Sequence, residues 1–313
     1  MPRKVALIGV GKIAQDQHVP AIAASPDWEL AGTVSRQGRV EGVTGYEGID
    51  ALLAGEPGIE CLSLCLPPVP RFEYAAAALR AGRHVMLEKP PGASLAECHV
   101  LAALAREAGV SLYATWHSRE AAQVEAVRDW LSDKTLRRLT ITWKEDVRRW
   151  HPGQKWIWQA GGLGVFDPGI NALSILTEIL PRPAHLTAAT LEVPENCETP
   201  IAAALDFHYP GGAEISAVFD FRQEGEQIWS MAIETEQGSL LLSEGGANLA
   251  IDGVPQAPPG EEGQPLGGEY PRLYAKMAKL IDEGRSDVDL SPLVLVADAF
   301  LLGKRITVAP FHE

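Results

Sequence analysis

The chain has 313 residues and a formal net charge of −14, which argues against nucleic acid or an anionic membrane surface as its partner. Its length predicts two domains, and the lack of a signal segment or of an apolar run of about 18 residues predicts a cytoplasmic protein. The four cysteines form no CxxC pair and no ligand cluster with histidine, so we expect reduced thiols and no bound metal.

The first third of the chain alternates predicted strands with predicted helices. Strands are expected at residues 4–8, 29–34, 59–65, 83–87 and 110–114, and helices up to residue 24 and at 74–81 and 96–108. This alternation predicts a parallel sheet covered on both faces, with ligands bound beyond the carboxyl ends of the strands. The side chains expected at those ends include Ser35, Arg36, Cys65, Leu66, Pro67, Glu88, Lys89 and His117.

A glycine turn follows the first strand and leads into a helix. In the stretch Gly9 to Ala14, the first glycine permits the tight turn and Gly11 lets a pyrophosphate approach the backbone. The small Ala14 allows the helix to pack closely on the strand. The turn therefore predicts a Rossmann dinucleotide-binding domain, with cofactor contacts from Gly9, Gly11, Lys12 and Ile13.

The pattern changes near residue 119, where we place the boundary between a dinucleotide-binding domain (1–119) and a substrate-binding domain (120–313). After a helix at 120–131 and a strand at 139–144, further strands are expected at 186–193, 201–208, 214–221, 229–234 and 238–243. They predict a mainly antiparallel open sheet with one face on helices. Helices at 270–283 and 291–302 follow, and the last is expected to pack back on the first domain. The fold class is α/β, with an α+β second domain.

Residues 150–171 combine an aromatic loop, a glycine turn and the start of a helix. Flat aromatic rings suit the C–H faces of a sugar, and an amide, an imidazole and a carboxylate suit its hydroxyls. The segment therefore indicates a sugar site, and a tryptophan-rich corner of the core is the alternative. The side chains concerned are Trp150, His151, Trp158, Asp167 and Asn171, the last two on one helical face.

Three motifs, in this order, resemble the Gfo/Idh/MocA family of NAD(P)-dependent sugar oxidoreductases. They are the glycine turn at 9–14, Glu88-Lys89-Pro90, and the stretch from Gly161 to Asn171. The blocks 11–18, 143–154 and 166–174 are similar, more narrowly, to bacterial aldose 1-dehydrogenases. The resemblance covers nearly the whole chain. It implies oxidation of C1 of L-arabinose, D-galactose or D-fucose to the lactone, with hydride transfer to NAD(P)⁺.

The resemblance also points to catalytic residues. Many members of the family carry histidine where this chain has Asn171, and an amide cannot take a proton at neutral pH. The galactose and arabinose enzymes share the asparagine, which implies that Asn171 orients the substrate hydroxyl. Proton removal then falls to Asp167 or to Lys89, which the resemblance places in the site. The alternative for Asp167 is a simple helix N-cap.

Other polar and aromatic side chains are candidate substrate contacts. His151 lies in the aromatic loop and Glu145 in one of the similar blocks, so both are expected to bind sugar hydroxyls, although a solvated Glu145 is an equal alternative. Trp150 offers an aromatic face. Weaker candidates, any of which could belong to the core, are His117, Trp158 and Trp229.

The end of the second strand indicates the choice of nucleotide. Ser35 and Arg36 stand where an acidic residue would hold both ribose hydroxyls of NAD, whereas a hydroxyl with a guanidinium suits the 2′-phosphate of NADP. NADP is therefore the expected preferred cofactor, with NAD also used. The expected partners are a small sugar and a second copy of the chain, paired through the sheet of the second domain.

Two other functions are open at this stage. One is an inositol or dihydrodiol dehydrogenase of the same fold, against which Asn171 counts. The other is a regulator that senses a nucleotide without turnover, against which Lys89 and Asp167 count.

Overall fold

The computed structural model describes residues 1–36, 38–258 and 268–312. Its strands in chain order are β1 (Arg3–Ile8), β2 (Trp28–Val34), β3 (Gly45–Tyr46), β4 (Cys61–Leu64), β5 (His84–Leu87), β6 (Leu112–Ala114), β7 (Leu136–Lys144), β8 (His185–Pro194), β9 (Ala202–His208), β10 (Glu214–Asp220), β11 (Ile228–Thr235), β12 (Gly238–Ser243), β13 (Asn248–Ile251), β14 (Val254–Gln256) and β15 (Lys304–Val308). Its helices are α1 (Val19–Ala24), α2 (Ile49–Gly55), α3 (Pro68–Arg80), α4 (Leu95–Ala108), α5 (Val124–Leu131), α6 (Val147–Trp150), α7 (Phe166–Ile179), α8 (Glu269–Asp282) and α9 (Ser291–Leu302).

The chain divides into two compact units. The first unit comprises Met1–His117 and Gly267–Leu290, and the second comprises Ser118–Leu266 and Ser291–Glu313. Among the described helices, none combines the length and the apolar character that crossing a membrane requires.

The first unit contains a six-stranded parallel sheet in the order β3-β2-β1-β4-β5-β6. This is the strand order of the Rossmann fold, and it confirms the predicted fold class. The order reverses between β1 and β4, so the loops that follow these two strands flank the crevice where such sheets bind ligands. The sequence does not predict β3, because two residues are too few to show a period.

Both faces of this sheet are buried, as the sequence predicts. Ala6 and Ile8 of β1 lie in a core with side chains of α2, α3 and α4. Val5 and Leu7, which alternate with them, lie in a second core with side chains of α1 and α8. Helix α8, near the end of the chain, therefore covers part of one face of the Rossmann sheet that the first 117 residues leave uncovered.

Helix α8, and not the last helix α9, returns to the first unit. The sequence-based boundaries assign residues 268–290 to the second domain, and the structure differs on this point. The reason lies in the buried side of α8, where Tyr270, Leu273 and Met277 complete the core against the first sheet. Asp287 then pairs with one edge of β6, donating to Leu112 O at 3.0 Å and accepting from Ala114 N at 2.9 Å. Helix α9 instead packs on α7 and β8.

The second unit is built on a nine-stranded sheet in the order β14-β13-β12-β11-β7-β10-β9-β8-β15. The pairs β7–β10 and β8–β15 are parallel and the other pairs are antiparallel, so the predicted mainly antiparallel sheet is confirmed. Helix α7 packs so closely on this sheet that a Cβ at Gly169 would lie 2.8 Å from the Phe219 ring of β10. Only glycine leaves room for this approach. This close packing fixes the start of α7 beside the ends of β7 and β10.

Candidate active site

The glycine turn after β1 has the shape of a dinucleotide cradle. Gly9 has a φ of 90°, and a Cβ there would lie 2.8 Å from Leu66 N, so only glycine lets the loops after β1 and β4 touch. A Cβ at Gly11 would meet no described atom within 4 Å. Gly11 is therefore not required by internal packing, and its open surface fits the close approach of a pyrophosphate.

The helix that begins after this turn starts with a π-helical turn, Ala14–His18, which continues into α1. The Lys12 ammonium pairs with Asp16 of the same turn. The Ile13 side chain is 38% exposed although it is apolar. Together with open Gly11, these residues fit a dinucleotide, whose phosphates would lie at the amide groups of the helix start.

The loop after β2 contains an arginine that sequence reasoning missed. Ser35 Oγ accepts from Gly38 N at 3.1 Å, and Arg39 Nη1 donates to Ser35 O at 3.0 Å and to Gly38 O at 2.9 Å. Arg36 and Arg39 are both exposed. The loop is therefore held in shape by Ser35 and Arg39, and it presents two guanidinium groups where Arg36 alone was expected. The signal in the sequence is the three-residue spacing of the two arginines.

Arg71 of α3, which the sequence does not single out, ties the loops after β4 and β5 together. This buried guanidinium donates from Nε to Leu66 O at 3.1 Å and from Nη1 to the carbonyl oxygens of Glu88 and Pro90. Cys65 and Pro67 flank Leu66, and Pro67 is the N-cap of α3. The backbone on both sides of Lys89 is thereby held by one buried cation.

Glu88 is a buried carboxylate with three hydrogen-bond donors. Its Oε1 accepts from His18 Nε2 at 3.1 Å and from Tyr270 OH at 2.8 Å, and its Oε2 accepts from Lys89 N at 2.8 Å. Burial alone would raise the pKa of Glu88, but the hydrogen bond and charge of His18, with smaller effects of His117 and Lys89, lower it to about 2. Glu88 is therefore ionised and bound to the backbone of Lys89.

His117, expected as a weak substrate contact, is engaged within the first unit. Its Nδ1 lies 2.8 Å from Glu269 Oε2, and its ring stacks on Tyr270 with a centroid distance of 5.6 Å. Both partners belong to α8. The sequence could not indicate this pairing, because about 150 residues separate the groups.

The second unit brings Glu145, His151, Asp167 and Trp229 into one cluster. Glu145 follows β7, and its Oε1 lies 3.0 Å from His151 Nε2 while its Oε2 accepts from Trp229 Nε1 at 2.9 Å. Trp229 reaches Glu145 because it stands opposite Trp143 in the pairing of β11 with β7. Both carboxylate oxygens of this buried Glu145 are thus engaged by protein donors.

His151 lies between two carboxylates. Its Nε2 faces Glu145, and its Nδ1 lies 3.6 Å from Asp167 Oδ2. Nδ1 is buried and has no hydrogen-bond partner among the described residues. Because a carboxylate oxygen accepts hydrogen bonds, Nε2 is the donor to Glu145, and Nδ1 is the ring nitrogen on the Asp167 side.

Asp167 is buried in the first turn of α7 and does not cap it, since Val165 is the N-cap residue. The cap alternative therefore does not account for this carboxylate. Asn171 follows one turn later and is partly buried. The turn before the helix is tight, because a Cβ at Gly164 would lie 2.3 Å from Pro200 O and one at Gly162 would lie 2.2 Å from Trp156 O.

The tryptophans divide into two groups. Trp150 is 40% exposed, donates to Gln227 Oε1 at 3.2 Å and meets Trp229 edge to face at 5.3 Å. Trp158 instead packs between Phe221 and Phe311, at 5.6 and 5.2 Å. Trp150 and Trp229 belong to the Glu145 cluster. Trp158 instead packs against other aromatic side chains and is partly buried, as a tryptophan-rich corner of the core would require. Within the described ranges, no group of three or more histidine, cysteine or acidic side chains is arranged to hold a metal ion.

Comparison with known proteins places the chain in a family. Residues 3–115 match the model of an oxidoreductase family with an NAD-binding Rossmann fold, GFO_IDH_MocA. The whole chain is 44% identical over 324 residues to a galactose 1-dehydrogenase of Pseudomonas fluorescens, covering 100% of this chain and 99% of the relative. The chain belongs to the Gfo/Idh/MocA oxidoreductase family. Its first unit is the NAD-binding domain of that family, and its cofactor is a nicotinamide dinucleotide.

The chain is also similar to solved structures. A D-galactose-1-dehydrogenase from Rhizobium etli superposes with a TM-score of 0.94 at 54% identity, covering 99% of this chain and 98% of that one. KijD10, a 3-ketoreductase from Actinomadura kijaniata in complex with NADP, superposes with a TM-score of 0.84 at 21% identity, over 98% and 100% of the two chains. At that identity the second likeness concerns the fold alone.

Proposed function

We propose that this chain is an aldose 1-dehydrogenase that oxidises C1 of D-galactose, L-arabinose and D-fucose to the lactone with NAD(P)⁺. The observation that carries the proposal is the full-length similarity, 44% and 54% identical, to two proteins described as galactose 1-dehydrogenases. The similarity spans both units, so it includes the Glu145 cluster as well as the dinucleotide cradle.

The chemistry requires loss of a hydride from C1 and of a proton from O1. A bound nicotinamide would supply the hydride acceptor. In this proposal the O1 proton goes to Asp167 or to Lys89, each of which has a side chain that can accept a proton. Asn171 cannot take that proton, and its amide orients the hydroxyl instead.

The geometry of the Glu145 cluster gives its members different roles. Glu145 has both oxygens engaged, so we assign it to orienting His151 rather than to binding sugar directly. His151 Nδ1, buried and without a partner among the described residues, is the group that we assign to a sugar hydroxyl. The rings of Trp150 and Trp229 offer apolar faces beside it.

NADP is the proposed preferred nucleotide, with NAD also used. Ser35 supplies a hydroxyl and Arg36 an exposed guanidinium after β2, a pair that suits a 2′-phosphate. The second guanidinium of the loop, Arg39, adds positive charge near the same point. No carboxylate among residues 35–39 would repel the phosphate.

A second copy of the chain is the proposed partner of the nine-stranded sheet. On the face opposite the buried Leu139 and Ile141, the sheet carries Thr140 and Thr142, with exposed Val218 and Leu241 on the same side. Arg138, Glu214 and Glu234 place charges of both signs on this side of the sheet, which suits a self-complementary two-fold contact. Sedimentation equilibrium should show a dimer that Leu241→Arg with Val218→Arg dissociates. A wild-type monomer at micromolar concentration contradicts the proposal.

The decisive assay for the activity follows nicotinamide absorbance with a sugar panel and both nucleotides. We expect each of D-galactose, L-arabinose and D-fucose to be oxidised with reduction of the nucleotide. The rate of this reduction should be higher with NADP⁺ than with NAD⁺. Turnover only with inositols or dihydrodiols would indicate a different dehydrogenase of this fold. Tight nucleotide binding without turnover on any substrate would indicate a sensing regulator.

A further inference from the structure

A cluster of buried polar side chains in the first unit is connected to the backbone of Lys89 through Glu88. Its members are each at most 4% exposed, and burying them costs free energy unless every polar group is satisfied. They come from four separate segments, namely the helix after the glycine turn, β4, the loop after β5, and α8. The members are His18, Ser63, Glu88, Tyr270 and Tyr274.

His18 has a hydrogen-bond partner at each ring nitrogen, a carboxylate at Nε2 and a tyrosine hydroxyl, which can accept or donate, at Nδ1. Its Nε2 lies 3.1 Å from Glu88 Oε1, its Nδ1 lies 2.8 Å from Tyr274 OH, and Ser63 Oγ is 3.4 Å from Nδ1. A ring that donates from both nitrogens carries a positive charge. Burial alone would lower the pKa of His18, but Cys65, Tyr274 and Glu88 raise it well above its usual value.

The cluster also reaches Lys89, through the second oxygen of Glu88. This oxygen accepts from Lys89 N at 2.8 Å, while the first oxygen faces His18. An ionised carboxylate buried without a cation would be strongly disfavoured. The charge on His18 therefore keeps Glu88 ionised, with both oxygens available as acceptors.

We propose that His18 is a positioning residue that acts on Lys89 through the Glu88 carboxylate. Without the imidazolium, Glu88 takes up a proton in its buried site, and one oxygen then becomes a donor. Lys89 N then loses the Glu88 oxygen that accepts its hydrogen bond. The position of the Lys89 ammonium group becomes less well defined. The role in turnover rests on the proposed function of Lys89, whereas the positioning itself does not.

Charge state is tested first, in a way that does not depend on activity. In the full chain with labelled histidine, ring nitrogen shifts of His18 should remain those of an imidazolium between about pH 6 and 8, where an ordinary histidine loses its charge. The His18→Gln variant assigns the resonance, and Tyr274→Phe does so if His18→Gln fails to fold. A neutral ring at pH 7 overturns the proposal. The ionisable groups around the ring are Cys65, Glu88, Tyr270 and Tyr274, with Lys89, His117 and Glu269 in the next layer.

Positioning is tested next, by carbon-13 dimethylation of the lysines, with Lys89→Arg assigning the resonance of Lys89. We expect this resonance to move in His18→Gln and Glu88→Gln and to stay in place in His99→Gln, a control at an exposed histidine of α4 in the same unit. An unchanged Lys89 resonance in both variants overturns the proposal, whatever reaction the protein catalyses.

Turnover gives the third readout. In His18→Gln, kcat should fall about tenfold, the scale seen for outer partners of functional groups, while KM for NADP stays within about twofold. The acidic limb of the pH profile of kcat should move to higher pH, because the pKa of Glu88 rises once the imidazolium is gone.

The kcat of the double variant His18→Gln/Glu88→Gln should be no lower than that of the slower single variant. Wild-type kcat and pH profile in His18→Gln overturn the proposal. Absence of sugar-dependent turnover in the wild-type chain instead contradicts the proposed function alone.

Discussion

At the scale of single residues, the second unit places three charged or ionisable groups in a row. Asp167, His151 and Glu145 are joined by distances of 3.6 and 3.0 Å, and both carboxylates are buried. In the proposed function Glu145 orients the His151 ring, because both of its carboxylate oxygens accept hydrogen bonds from protein donors, whereas Asp167 is a candidate for proton transfer.

Asp167→Ala and Lys89→Ala should each lower kcat by about 10²-fold, the usual loss when a general base is removed, with the fold retained. Asp167→Asn separates proton transfer from hydrogen bonding, since the amide keeps the shape without the basicity. Asp133→Asn, at an exposed aspartate of the same unit, is the control and should leave kcat unchanged. Steady-state kinetics at saturating nucleotide are the measurement. A variant with near-wild-type kcat removes its residue from proton transfer.

Arg36→Ala should raise KM for NADP by about 10- to 150-fold, because a charge-assisted phosphate contact of about 1.5–3 kcal/mol exists only with that nucleotide. KM for NAD should stay within about twofold. Arg80→Ala, at the exposed end of α3, is the matched control. Equal losses with both nucleotides would show that Arg36 contacts a part of the cofactor that NAD shares.

At the scale of elements, one arginine on α3 and two tyrosines on α8 organise the loops around Lys89. Arg71 holds carbonyl groups of two loops, and the tyrosine hydroxyls hold Glu88 and His18. None of these residues stands out in the sequence, because an arginine in a helix is usually solvated and aromatic residues in an amphipathic helix usually fill a core. The strands and glycine turns, in contrast, have local signals and are predictable.

Arg71→Met should reduce the free energy of unfolding by about 3 kcal/mol or more, since three carbonyl oxygens, two of them in buried hydrogen bonds, lose a charged donor. Arg106→Met, at an exposed arginine of α4, should change it by less than about 0.5 kcal/mol. Urea unfolding of the two variants is the measurement. Equal stability of the two variants would show that water replaces the guanidinium without cost.

The Glu88 carboxylate should make stability depend on pH in acid. Its folded pKa of about 2 lies below the value of about 4.3 in unfolded chains. Its contribution is therefore fully present above about pH 5 and is lost as the pH falls towards 2. Urea unfolding between about pH 3 and 6 should give a steeper decline for the wild type than for Glu88→Gln, which at pH 7 is less stable by about 3–5 kcal/mol. Parallel curves would mean that Glu88 is not ionised in the folded chain.

At the scale of the whole molecule, the sequence predicts both sheets and fails on the path of the chain between the units. Helices α8 and α9 are both apolar enough to be buried, so periodicity alone cannot tell which unit each one joins. The answer depends on Tyr270 and Leu273, which pack into a core formed by side chains between Val5 and Tyr113. In the same way, the sequence indicates His151 and Asp167 as site residues, but the hydrogen bond from Trp229 to Glu145 depends on the register of β7 with β11.

Substrate range tests the pocket as a whole. L-Arabinopyranose and D-galactopyranose share the configuration at C2, C3 and C4, whereas D-glucose inverts C4. If His151 Nδ1 or a neighbour pairs with the axial C4 hydroxyl, glucose leaves a buried group unsatisfied and kcat/KM should fall by about 5- to 150-fold. Similar kcat/KM for glucose and galactose would exclude this pairing without excluding the dehydrogenase activity.

Deuterium transfer from D-galactose labelled at C1 tests whether the chain oxidises the sugar at C1. With NADP⁺ and the wild-type chain, the label should appear in the reduced nicotinamide, and the sugar product should be the unlabelled lactone. A primary isotope effect on kcat/KM would add support. Reduced nicotinamide without deuterium, formed together with a product that keeps its label at C1, would show that the hydride comes from another carbon.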